Sequence, residues 1–128
     1  MKAASAPTVR VRVHFNQRLF VGIGKVELLE HIMRTGSLSQ AAREMTMSYR
    51  RAWQLLAAMN RGFDQPVATA STGGRRGGGT EVTEFGRQLV AGYRRMESKV
   101  QDLTAAQLRE VAQHVKGGRA GLSADASR

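Results

Sequence analysis

The sequence predicts a mainly helical fold with a small β component, and three observations support this class. Apolar residues recur at helical spacing in several consecutive segments of the 128-residue chain. A short segment near the N-terminus alternates apolar and polar residues, as a half-buried strand does. A glycine-rich stretch separates two further segments that are typical of short strands. The chain length suits one modest hydrophobic core.

The composition predicts a polyanionic partner. Twenty Lys and Arg residues against ten Asp and Glu give a formal net charge of +10, and 41% hydrophobic content excludes a disordered basic tail. No apolar run approaches the roughly 20 residues that span a bilayer, and no signal peptide is evident. We therefore expect a cytoplasmic protein. Because the sequence contains no cysteine, disulfides and thiolate metal sites are excluded.

The N-terminal third predicts a strand followed by a helix. Residues 1–8 are expected to be flexible, whereas residues 9–15 alternate, with Arg10, Arg12 and His14 on the polar side. We interpret residues 16–24 as a connection. A helix is predicted from Lys25 to Gly36, with its apolar face formed by Leu28, Leu29, Ile32 and Met33.

The next segment predicts a helix-turn-helix. Ser37 is a candidate N-cap of a helix about two turns long, and Ser48 is a candidate N-cap of a longer helix that stops near Gly62. Each helix has apolar residues at i, i+3, i+4 and i+7: Leu38, Ala41, Ala42 and Met45, then Ala52, Leu55, Leu56 and Met59. A short helix, a tight turn and a longer helix with a polar start form this motif.

A β-hairpin is predicted directly after the second helix. Residues 67–71 and 80–82 are the expected strands, and residues 72–79 between them contain five glycines and the pair Arg75 and Arg76. This hairpin corresponds to the wing of a winged helix-turn-helix. The glycines also come close to a phosphate-loop pattern, but Gly79 stands where that pattern requires lysine, so a nucleotide site is rejected.

Thr83 is the candidate cap of a long C-terminal helix. Its apolar stripe has nearly heptad spacing, which predicts pairing with a second copy in a homodimer. The stripe residues assigned to dimerisation are Leu89, Tyr93, Met96, Val100 and Leu103. Residues 104–116 continue as helix, directly or after a break. The predicted organisation is a DNA-binding domain at 9–82, a dimerisation helix region at 83–116 and a disordered tail at 117–128.

The start of the second helix-turn-helix helix offers side chains that suit DNA. Arginine matches the acceptor pair of guanine and glutamine matches adenine, so we assign Arg50 and Gln54 to base edges. Tyr49 and Arg51 flank them and are shared between bases and phosphates. Trp53 either packs against the motif's core or donates its indole N–H to a phosphate. The candidate DNA-binding residues are Ser48, Tyr49, Arg50, Arg51, Gln54, Arg75 and Arg76.

No catalytic constellation is recognisable. His14, His31 and His114 stand alone, and the acidic residues are scattered. We therefore expect no enzyme activity, no cofactor and no metal site.

Two dense motifs resemble one family. Residues 36–42 (GSLSQAA), 47–53 (MSYRRAW) and 59–60 (MN) closely resemble the N-terminal domain of the ModE-type molybdate-responsive transcription regulators. Residues 70–79 (ASTGGRRGGG) and 82–86 (VTEFG) look like that family's wing and the start of its long helix. A looser similarity extends to LysR-type winged helix-turn-helix domains.

The resemblance implies a dimer whose recognition helices, at residues 48–54, and wings, at residues 73–79, grip a palindromic operator in double-stranded DNA. Family members sense molybdate through C-terminal domains, for which the 25 residues after the stripe leave no room, so we expect no molybdate binding on this chain. Regulation linked to molybdenum metabolism is still implied. The alternative is a nucleoid-type or architectural protein that binds DNA without base specificity.

Overall fold

The structure is a computed structural model that describes residues 7–74 and 77–117, except for the side chains of residues 72–78. The predictions for residues 1–6, Arg75, Arg76 and 118–128 lie outside this part. Along the chain the elements are β1 (Val13–His14), β2 (Phe20–Val21), α1 (Ile23–Thr35), α2 (Leu38–Glu44), α3 (Tyr49–Gly62), β3 (Ala68–Gly74), β4 (Gly77–Val82) and α4 (Glu84–Ala112). This is the predicted mainly helical winged helix-turn-helix with a long C-terminal helix.

The chain divides into two compact units, Arg10–Arg95 and Met1–Val9 with Met96–Arg128. The Arg10–Arg95 unit holds the hydrophobic core, to which α1 contributes most because apolar residues recur along its inner face. Small alanines of α2 and α3 allow these helices to pack closely. The fully or almost fully buried side chains are Val21, Val26, Leu28, Leu29, Ile32, Ala41, Ala42, Ala52, Met59, Val67 and Ala68.

The N-terminal segment differs from its prediction. The predicted strand at 9–15 is reduced to β1, and the predicted connection contains the partner strand β2, with Val13 opposite Val21. The cause is a turn at Asn16, whose Oδ1 accepts hydrogen bonds from the amides of Arg18 (2.8 Å) and Leu19 (2.9 Å). Phe15, predicted to face inward, is 52% exposed because it lies at this turn.

The predicted helix boundaries are confirmed at the caps. Gly36 ends α1 in the left-handed region with φ 71°, a conformation that favours glycine. The hydroxyl oxygens of Ser37 and Thr83 accept hydrogen bonds from the amides of Gln40 and Gly86, both at 3.0 Å. At the other end α1 begins at Ile23 rather than Lys25, because Gly22 acts as the N-cap through its backbone.

The wing is fixed to its neighbours at the backbone of Val67, directly before β3. The Val67 amide donates to Oδ1 of Asn60 on α3 (2.7 Å), and the Val67 carbonyl accepts from the amide of Thr83 (2.9 Å). Strands β3 and β4 then pair antiparallel, with Ala68 opposite Val82. The hairpin is therefore tied at its base to both α3 and the start of α4.

Helix α4 is continuous to Ala112, so the alternative of a break near residue 104 is wrong. In the second unit, Gln101 binds the N-terminal segment through both ends of its amide. Its Oε1 accepts from the amide of Val9 (3.0 Å), and its Nε2 donates to the carbonyl of Pro7 (2.7 Å). This pair of bonds holds residues 7–9 in an extended conformation beside this part of α4.

Gly86→Ala should destabilise the Arg10–Arg95 unit, because a Cβ there would overlap the Val67 carbonyl oxygen and lie 2.7 Å from Cγ1 of Val82. We expect a loss of about 1–3 kcal/mol in the free energy of unfolding, measured by urea denaturation. Gly92→Ala is the matched control in the same helix, where the nearest atom is 4.0 Å away. It should be neutral or stabilising by up to about 1 kcal/mol. Equal stability of the two variants would contradict the packing described for Gly86.

Candidate nucleic-acid interface

The first turn of α3 presents the side chains that the sequence assigned to DNA. Ser48 is the N-cap, and its hydroxyl oxygen accepts a hydrogen bond from the amide of Arg51 at 3.0 Å. Arg50, Arg51 and Gln54 are exposed, and the ring of Tyr49 is 53% exposed. All five residues therefore lie together at the N-terminal end of one helix, and all five are exposed.

The opposite face of α3 explains this orientation. Ala52, Leu56 and Met59 are buried, as their spacing predicts, whereas Leu55 is only half-buried. At about 100° per residue, this inner face turns Arg50 and Gln54 away from the core. Packing therefore sets the direction of the polar side chains.

Trp53 is 53% exposed, so its indole is not buried in the motif's core. It directly follows Ala52, which occupies the inner face, and a helical step of about 100° moves its indole to the flank. The alternative, in which the indole N–H donates to a phosphate, is compatible with this exposure.

The turn between α2 and α3 is tight and held by backbone hydrogen bonds. The amides of Met45 and Met47 donate to the carbonyls of Ala41 and Ala42, each at 3.0 Å. Thr46 adopts φ 58°, a left-handed conformation that a β-branched residue rarely takes. The angle between the two helices is thus defined by a strained residue and its flanking bonds.

A cluster on α1 and α2 joins these helices through charge. Nη2 of Arg34 lies 2.6 Å from Oε1 of Glu44, and Nδ1 of His31 lies 2.7 Å from the same oxygen. The hydrogen bonds from Arg34 and then His31 lower the pKa of Glu44 from 4.5 to about 2. No periodic pattern in the sequence indicates this cluster, since its residues lie 10 and 13 positions apart on different helices.

The wing is also anchored beside the helix-turn-helix. The amide of Thr80 on β4 donates to the carbonyl of Gly36, at the end of α1, over 3.0 Å. A Cβ at Gly79 would lie 3.0 Å from that carbonyl oxygen, so glycine permits the close approach. Arg75 and Arg76 belong to the residues between the described parts of the two strands.

The residues predicted for dimerisation differ in accessibility. Tyr93 is only 5% exposed, and its hydroxyl donates to the carbonyl of Val11 at 2.6 Å, so most of its side chain is used within the Arg10–Arg95 unit. Leu89 is half-buried in the same unit. In the other unit Met96 and Val100 are half-buried, whereas Leu103 is 77% exposed.

Within residues 7–74 and 77–117, no group of three or more His, Asp or Glu side chains could hold a metal ion.

Over the same described ranges, no helix combines the length and apolar character needed to cross a membrane.

The fold and the exposed polar start of α3 are those of a winged helix-turn-helix protein. The sequence profile of the family described as "Bacterial regulatory helix-turn-helix protein, lysR family" matches residues 23–87, from the start of α1 to the start of α4. The chain belongs to this family.

Among individual proteins, the chain is similar to proteins whose names refer to molybdenum-pterin binding, molybdenum transport or DNA-binding transcriptional regulation. It is 44% identical over 77 residues to the molybdenum-pterin-binding protein MopA of Rhodobacter capsulatus, covering 60% of this chain and 29% of that protein. It is 39% identical over 94 residues to the molybdenum transport protein ModE of Azotobacter vinelandii, covering 73% and 34%. The DNA-binding transcriptional dual regulator ModE of Escherichia coli strain K12 is 33% identical over 85 residues, covering 66% and 32%. The chain thus spans about a third of the length of these relatives.

Glu44→Gln should destabilise the protein at neutral pH, and the difference from wild type should shrink in acid. The folded pKa of about 2 lies below the ordinary 4.5, so the cluster stabilises fully above pH 4.5 and loses this contribution as the pH falls toward 2. Urea denaturation at a series of pH values measures it. Glu81→Gln removes an exposed carboxylate from β4 and should leave the urea midpoint nearly unchanged throughout. A constant difference between Glu44→Gln and wild type down to pH 2 would refute the assignment.

Proposed function

We propose that the protein is a sequence-specific DNA-binding transcription regulator that acts as a homodimer. The single observation that carries this proposal is the accessible, basic first turn of α3, held in place by the Ser48 cap and a buried inner face. Helix-turn-helix proteins place this end of the second helix in the major groove. Membership of a family of bacterial regulatory proteins supports the same function.

The charge distribution of α3 favours contact with DNA. The helix contains Arg50, Arg51 and Arg61 and no acidic residue. Within the described residues, none of the three forms an ion pair, whereas Arg34 and Arg94 on other helices do. Arg50 and Arg51, at the end of the helix assigned to the major groove, are therefore available to bases and phosphates. Arg50 and Gln54 are assigned to base edges, and Ser48, Tyr49 and Arg51 to the surrounding contacts.

The wing supplies a second contact in this proposal. Its base is tied to α3 through Asn60 and Val67, so a helix seated in the major groove carries the hairpin with it. Arg75 and Arg76 at the hairpin would add charge at the backbone or minor groove.

The regulated genes are proposed to concern molybdenum. The support is similarity to proteins whose names refer to molybdenum transport or molybdenum-pterin binding. Selecting bound sequences from a random DNA pool would give the operator, and a palindrome in it would support two symmetric half-sites.

Arg50→Ala should weaken binding to the selected operator by about 1–3 kcal/mol and relax the preference at one position per half-site, because a bidentate base contact is lost. Affinities for operator and scrambled duplexes at several salt concentrations measure this. Arg61→Ala is the matched control in the last turn of the same helix and should leave base preference intact.

The double variant of Arg75 and Arg76 to Ala should weaken operator and scrambled DNA by similar factors. The slope of log affinity against log salt should also become shallower by about 2 per protomer. If Arg50→Ala weakens all sequences equally and changes the salt slope, base readout by Arg50 is refuted. The protein would then be a nucleoid-type or architectural binder, which its net charge of +10 also suits.

The dimer is proposed to form along the stripe of α4. Leu103 on this stripe is a large apolar side chain that is 77% exposed on the single chain. Exposed apolar residues at near-heptad spacing on one helix are typical of a surface that pairs with another helix. Of the five predicted residues, Leu103 is exposed, Leu89, Met96 and Val100 are half-buried, and Tyr93 is buried.

Val100→Glu should convert the dimer to a monomer, since a carboxylate would be buried without a partner. Operator affinity should fall at least tenfold because two half-sites are no longer held together. Analytical ultracentrifugation and operator titration measure the two effects. Ser98→Glu introduces the same charge on the exposed side of α4 and should remain dimeric. A wild-type protein that sediments as a monomer at micromolar concentration would refute the proposal.

A further inference from the structure

A pocket in the Arg10–Arg95 unit is lined by four cationic side chains and no acidic one. It lies where the segment before β1, the strand β2, the first turn of α1 and the first turn of α3 meet, and its volume is about 530 Å³. We call this cavity the basic pocket. Its cationic side chains are Arg10, Arg12, Lys25 and Arg51. Glycines and apolar side chains form the rest of the wall.

Lys25 is the buried member of this group, with only 7% of its surface exposed. Its ammonium group donates to the carbonyl of Phe20 at 2.8 Å and lies 4.1 Å from the centroid of the Phe20 ring. The guanidinium carbon of Arg12 lies 4.5 Å from the same centroid. A carbonyl dipole and one aromatic ring thus face two full positive charges.

This arrangement is electrostatically incomplete. Burial, and then the charges of Arg12 and Arg51, lower the pKa of Lys25. Within the described residues, no carboxylate forms an ion pair with any cation of the basic pocket. Buried charges in proteins are normally paired, so a cation held among other cations in a pocket points to an anion that binds from outside.

The first turn of α1 adds donors of the same kind. Gly22 is its N-cap and provides no capping side chain, and Gly24 in this turn has no atom within 4 Å of where a Cβ would stand. The first amides of a helix lack partners within the helix and favour negative charge. Glycine at position 24 leaves the approach to these amides open.

We propose that the basic pocket binds a phosphate-type oxyanion. Arg51 supplies one wall from the first turn of α3, next to Arg50, so a phosphate of bound DNA is one source; this source rests on the proposed function. A free oxyanion in solution is the other source. In both cases Lys25 and Arg12 neutralise the anion while the start of α1 donates to it.

Lys25→Met tests the site because it keeps the length of the side chain and removes the charge. The variant should be at least as stable to heat as wild type, since a desolvated cation among like charges is removed. Lys116→Met removes the same charge from an exposed position after α4 and is the control. If Lys25→Met does not fold, Arg12→Met, at an exposed position, replaces it.

The first arm titrates the full chain with inorganic phosphate at constant ionic strength and follows backbone amide NMR signals. The amide signals of Gly24 and of position 25 should shift saturably in wild type and Lys116→Met. In Lys25→Met the phosphate affinity obtained from these signals should be at least tenfold weaker. The second arm measures duplex affinity against salt. The slope for Lys25→Met should be shallower than that for Lys116→Met by about 1 per protomer.

A positive first arm alone assigns the pocket to a free oxyanion, and a positive second arm alone assigns it to the DNA backbone. If both arms are positive, the pocket accepts both a free oxyanion and a phosphate of the DNA backbone. If Lys25→Met matches Lys116→Met in both arms, the oxyanion site is refuted. If no variant binds DNA while phosphate still shifts the Gly24 and Lys25 signals, the proposed function fails and the site stands.

Discussion

Three elements of the Arg10–Arg95 unit meet at the backbone of one residue, Val67. Its amide is bound by Asn60 from α3, its carbonyl accepts from Thr83 at the end of the wing, and α4 passes so close that only a glycine fits at position 86. The side chain of Val67 is also fully buried. Neither the amide nor the carbonyl of Val67 can therefore move independently of the close-packed core. The direction of the wing relative to the recognition helix follows from this junction.

The acidic residues Glu30 and Glu44 form ion pairs with cations on helices other than α3. Glu30 pairs with Arg94 at 2.8 Å, and Glu44 pairs with Arg34 and His31, so the carboxylates on α1 and α2 neutralise cations of α1 and α4. The arginines of α3 and the cations of the basic pocket remain uncompensated among the described residues. A modest number of acidic residues therefore stabilises the scaffold without reducing the attraction of this surface for polyanions.

Local sequence signals predicted much of this structure. Features that depend on tertiary contacts could not be predicted from them. Gly36, Ser37, Ser48 and Thr83 act within three or four residues of their own position, and all four caps could be predicted. The β1–β2 pair depends on the side chain of Asn16, which no periodicity reveals. Lys25 has the sequence character of a solvated helix residue, and its burial depends on the ring and carbonyl of Phe20, which the sequence analysis left in a connection. Trp53 is exposed because its neighbour Ala52 occupies the inner face of α3.

The hydrogen bond from Tyr93 to Val11 joins residues 82 positions apart and closes the Arg10–Arg95 unit at its two ends. Contacts among α1, α2 and α3 are local by comparison, and local contacts cost less loop-closure entropy. The helix-turn-helix can therefore assemble early in folding, while the bond between the ends forms near the native state. An interaction absent from the transition state acts on the rate of unfolding. We therefore expect the tyrosine hydroxyl to slow unfolding of the unit more than it accelerates folding.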